Sequence, residues 1–152
     1  CGVSNAAVRG VVFLASFVSA PSLILRLAGY LPLLLLKPYR LNRYLVNRVG
    51  FAGAGAPERI DQVFESLRCT DKHKLKQRLK NISQLNTPSK RHNTPSVYIR
   101  PNHDYLVANK ALVAVTSAFN DMTLVRASGG HFIAQSSPYL CSKIIQKMAA
   151  KD

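Results

Sequence analysis

The chain has 152 residues, 47% hydrophobic and 18% charged, and its 21 basic against 7 acidic residues leave a net charge of +14. That is enough apolar material for one ordinary domain and excludes a disordered polyelectrolyte. The basic excess predicts attraction to anionic surfaces such as phosphate backbones or acidic lipids. Three cysteines, Cys1, Cys69 and Cys141, show no metal-ligand spacing, and their odd number favours a reducing, cytoplasmic compartment.

The first residue is Cys rather than Met, which reads as part of a longer chain, with a lipid-modified cysteine as the alternative. Residues 11–16, Val-Val-Phe-Leu-Ala-Ser, form a continuous apolar run of the kind a parallel sheet buries on both faces. The apolar stretch continues to Leu36 but is broken by Pro21, Arg26, Gly29 and Pro32. A membrane span needs about 20 uninterrupted apolar residues, so the expectation is a buried strand followed by apolar helices. Short helices are expected over 22–31 and 41–49, then a glycine-rich loop over 50–57. Pro57 opens a helix over 58–67 with Ile60, Val63, Phe64 and Leu67 on one face. Residues 72–85 form another, its apolar row Leu75, Leu79, Ile82 and Leu85 set among Lys72, Lys74, Lys76, Arg78 and Lys80. Residues 86–94 read as a linker.

The last third is the most informative. A β-type run over 96–100 is followed by Pro101-Asn102-His103-Asp104, and a second over 122–126 by Ala127-Ser128-Gly129-Gly130-His131. Between them, apolar residues at 107, 111, 112, 115, 118 and 119 recur at helical spacing. A final helix over 138–150 turns Leu140, Ile144, Ile145 and Met148 inward, with Cys141 a buried structural thiol. Strand, acid, helix, strand, glycines and histidine place Asp104 and His131 together at one edge of a parallel sheet. Each has a plainer reading alone, Asp104 and His103 as turn residues and His131 as a loop histidine. Jointly, with the right elements between them, they favour a site.

Asp104 followed by His131, 27 residues later, matches the order of the last two members of a Ser…Asp…His triad. These motifs, with Arg9-Gly10-Val11-Val12-Phe13-Leu14 as the strand after a nucleophile helix, resemble the C-terminal part of the α/β-hydrolase superfamily. The nearest likeness is to small bacterial carboxylesterases of the pimeloyl-ester esterase type. The resemblance implies an α/β fold, the C-terminal portion of a hydrolase parallel sheet with an inserted helical cap. Residues 1–19 would be a core strand, 20–94 the cap and 95–152 the C-terminal βαβα unit. It implies a serine hydrolase of carboxylic esters with Asp104 and His131 catalytic and no cofactor or metal. The cap would line an acyl pocket or simply pack on itself.

The nucleophile is expected before residue 1. Gly2-Val3-Ser4-Asn5-Ala6 looks like G-x-S-x-G, but four residues between Ser4 and Arg9 leave no room for the helix such a serine needs. The chain alone is therefore expected to be inactive, with an exposed, aggregation-prone edge on its first strand. Its partner would be a small ester, anionic or carrier-linked, without specific nucleic-acid binding and with membrane association possible but not favoured. The alternatives are a non-catalytic interaction module and a basic protein associating with anionic membrane or nucleic acid.

Overall fold

The computed structural model describes residues 8–21 and 37–150. The helix expected over 22–31, the leucines at 31–36, Cys1 and Ser4 lie outside the described residues. The elements run β1 (Val11–Leu14), α1 (Arg40–Gly50), α2 (Pro57–Cys69), α3 (Lys72–Ser83), β2 (Ser96–Pro101), α4 (Asn109–Ala118), β3 (Met122–Ala127), α5 (Ile133–Ser136) and α6 (Pro138–Ala149). Among the described residues no helix is long and apolar enough to cross a membrane.

The three strands form one parallel sheet in the order β1-β2-β3. Val11 pairs with Ser96, which in turn pairs with Met122, so the strands start in step. Side chains alternate across a strand, and the packing follows that alternation. Val12, Leu14, Val97 and Ile99 join Ala127, Ile133, Cys141, Leu140 and Ile144 beneath α5 and α6. Phe13 and Tyr98 point the other way, against Leu112 and Val115 of α4. The fold is thus α/β, with helices on both faces of a small parallel sheet. The Tyr98 hydroxyl donates to the Ser16 carbonyl at 2.8 Å, tying β2 to the exit of β1.

A third apolar cluster lies in the stretch between β1 and β2. Phe51, Ile60 and Phe64 are buried there with Val46, Val63 and Leu67, and Phe132 from the C-terminal unit completes it.

Several expectations are corrected. All four residues of β1 are only half-buried rather than buried on both faces, because among the described residues β1 has a neighbouring strand, β2, on one side alone, in line with the exposed edge expected of it. The helical spacing that starts at Val107 becomes a helix only at Asn109, since the Asp104 carboxylate accepts the N–H groups of Leu106 and Val107 and holds them in a turn. Ile145 is exposed rather than inward, while Leu140, Cys141 and Ile144 pack on the sheet and half-buried Met148 lies against Gly10. Leu85 falls beyond α3 and is exposed. A four-residue helix, α5, precedes the last helix.

Candidate active site

The site is built where β2 and β3 end. These strands are neighbours in register through Pro101 and Ala127, so the loops that follow leave the sheet side by side. Main-chain hydrogen bonds stitch them together. The Asn102 N–H donates to the Ala127 carbonyl at 2.9 Å, and the His103 N–H to the Gly129 carbonyl at 3.2 Å. Gly129, at φ +127, takes a conformation that favours glycine, and the chain turns back to carry His131 over the acid loop.

The imidazole Nδ1 of His131 lies 3.2 Å from each oxygen of the Asp104 carboxylate. The Asp104 side chain is 5% exposed and that of His131 21%, so the acid is inside and the base has an open side. Asp104 Oδ1 also accepts from Leu106 N–H at 2.9 Å and Val107 N–H at 3.0 Å. Burial by itself would raise the Asp104 pKa. The His131 hydrogen bond and the Val107 and Leu106 N–H groups outweigh it and hold the carboxyl below the usual aspartate value. An ionised Asp104 favours the imidazole tautomer with its proton on Nδ1, which leaves the Nε2 lone pair on the far side of the ring to take a proton. Among the described residues no serine or cysteine side chain hydrogen-bonds to His131.

The segment between the strands closes on this site. The Phe132 N–H donates to the Gly50 carbonyl at the end of α1 at 2.8 Å. The two backbones approach so closely that a Cβ on Gly130 would lie 2.5 Å from the Gly50 oxygen and 2.6 Å from the Ala52 nitrogen. The Phe51 and Phe132 rings meet at 5.2 Å, and the Arg59 guanidinium donates to the Gln135 carbonyl. On the acid side the Arg48 guanidinium sits over the Tyr105 ring at 5.1 Å. Asn47 fixes the loop that follows α1: its carbonyl accepts from Phe51 and Gly53, and its side chain accepts from Gly55 N–H at 2.8 Å.

Asp104 and His131, expected from their positions after two strands, are brought together. His103 is an exposed turn residue beside them. The Leu106 and Val107 N–H groups and the Gly50–Gly130 approach were not anticipated. The first had a local signal, since Asp favours hydrogen bonds to N–H groups two and three residues on. The second had none, because it joins positions 80 residues apart whose only feature is the lack of a side chain.

No protein-family model matches the chain, and no curated protein matches it. Solved structures do. A thermophilic esterase superposes with a TM-score of 0.68 at 14% identity, over 94% of this chain and 56% of that one. A hydrolase from Oleispira antarctica gives 0.63 at 12% identity, over 94% and 57%. An α/β-hydrolase enzyme from a Medee basin deep-sea metagenome library gives 0.58 at 12% identity, over 94% and 56%. The chain therefore spans little more than half the length of these structures. With its parallel strands, covering helices and acid–histidine edge, it has the fold of the C-terminal part of an α/β-hydrolase.

Proposed function

We propose that this chain contributes the acid and the base of a serine hydrolase acting on carboxylic esters, the serine coming from sequence outside residues 1–152. The observation that carries the reading is the Asp104–His131 pair, buried at the acid end and open at the base end, where two adjacent parallel strands finish. His131 Nε2 takes the serine proton as the hydroxyl attacks the ester carbonyl and returns it to the leaving alcohol. Asp104 does not touch the reacting atoms. It holds the ring and its tautomer and stabilises the imidazolium. Hydrolysis proceeds through an acyl-enzyme.

The helices between β1 and β2 act as a cap in this reading, with Phe51, Ile60 and Phe64 as its packed interior.

The test is labelling of the natural protein with a fluorophosphonate, followed by peptide mapping. One modified serine, lost in His131→Ala, is the expected result. A folded protein that remains unlabelled overturns the proposal and favours a non-catalytic interaction module.

A further inference from the structure

We propose that the chain docks on anionic lipid bilayers through the exposed face of α1, with the basic surface of α3 supplying attraction at longer range. The hydrolase reading is not needed for this. Leu41, Tyr44 and Leu45 are 66%, 63% and 42% exposed, and their spacing of three and four puts them on one face. Tyr39, just before the helix, is exposed as well. The residues that α1 buries are Asn42 and Gly50, and Val46 packs on Phe51, Ile60 and Phe64, whereas Leu41, Tyr44 and Leu45 stay exposed.

The charge around this face is predominantly positive. Residues 37–57 contain Lys37, Arg40, Arg43 and Arg48 and no carboxylate. Of the nearby acids, Asp61 is paired with Arg43 and Glu65 with Arg68, Asp71 caps α3 through the Lys74 N–H, and exposed Glu58 of α2 offsets part of the positive charge at the cavity it lines with Lys37. On α3, Lys72, Lys74, Lys76, Arg78 and Lys80 are all exposed, and none has a carboxylate partner among the described residues. Lys37 and Lys72 line the same cavity of about 960 Å³ beside α2, so the N-terminal ends of α1 and α3 lie near one another.

Leucines and tyrosines rimmed by cations suit a helix lying in a bilayer interface. The leucines enter the acyl boundary, the tyrosine rings sit at headgroup level, and the long cationic side chains reach the phosphates. A nucleic-acid backbone would satisfy α3 but give Leu41 and Leu45 nothing to bind. The bilayer accounts for both elements.

The chain contains no Trp, so Leu41→Trp is a single fluorescent reporter. It is mixed with phosphatidylcholine vesicles with and without phosphatidylserine near physiological salt. Binding only to the phosphatidylserine vesicles, weakened by added salt, with a blue shift and quenching by bromolipid, is expected. Lys74→Gln with Lys76→Gln should weaken binding on the order of 25-fold. Tyr44→Ser with Leu45→Ser should abolish the deep quenching, and circular dichroism should stay unchanged because these positions are exposed. Equal binding to uncharged vesicles, or binding without bromolipid quenching, would overturn the proposal. So would tight binding of a DNA duplex by a protein that ignores both vesicles.

Discussion

Gly130→Ala is the sharpest probe of how the α1 end is held against the histidine loop. The new methyl would meet the Gly50 oxygen at 2.5 Å, the Ala52 nitrogen at 2.6 Å and the Gly50 carbonyl carbon at 2.8 Å. All three are backbone atoms, so no side chain can swing aside, and the loop and the helix end must separate by on the order of 1 Å to restore van der Waals contact. Separation breaks the 2.8 Å bond from Phe132 N–H to the Gly50 carbonyl and loosens the Phe51–Phe132 contact. Overpacking costs about 1–3 kcal/mol and the lost hydrogen bond about 1 kcal/mol, giving roughly 2–4 kcal/mol together. Urea unfolding followed by circular dichroism measures it. Gly53→Ala is the control: its φ is +87 but no atom lies within 4 Å of the added Cβ, so only conformational strain of about 1 kcal/mol applies. A Gly130→Ala cost below about 0.5 kcal/mol, or one no larger than that of Gly53→Ala, would refute the proposed close approach.

Further outcomes follow from the same geometry. Asp104 has a pKa lowered by His131 and the turn N–H groups against the effect of burial. Its contribution to stability should be complete above the ordinary aspartate pKa and disappear as pH falls through the lower folded value. Urea midpoints of wild type and Asp104→Asn should therefore differ at neutral pH and converge in acid; a constant difference would contradict this. Tyr98 is pushed up to about 12, by burial first and then by the nearby Asp104 charge, so Tyr98→Phe should remove a tyrosinate step near 12 from the spectrophotometric titration. Losing the hydroxyl bond to Ser16 should also cost about 1 kcal/mol in the same urea assay. Cys69 is exposed and Cys141 buried, with the Cys141 thiol pushed up by burial. A thiol reagent should modify Cys69 in the native protein and Cys141 only on unfolding, and rapid native modification of Cys141 would show that its packing under the sheet is wrong.

The C-terminal unit was legible because its signals are local. Residues 96–100 and 122–126 are apolar β-type runs, and β2 and β3 form there with one more residue each. The 27-residue separation of Asp104 and His131 closes to 3.2 Å because one helix and one strand lie between them. The late start of α4 was hidden because Leu106 and Val107 continue the helical pattern, while the Asp104 carboxylate takes their N–H groups. The half-burial of β1 reflects the exposed sheet edge expected of it; its apolar run, read alone, suggests burial on both faces. Likewise Leu41, Tyr44 and Leu45 look like core residues by type, and only packing shows that they face outward.

The central claim is that His131, held by Asp104, is the base for ester hydrolysis. It is tested most directly by turnover of a p-nitrophenyl ester by the natural protein and two variants. His131→Ala and Asp104→Asn should each lower kcat by about 10⁴-fold or more, with folding preserved by circular dichroism and little change in KM. Turnover that survives His131→Ala undiminished would contradict the assignment.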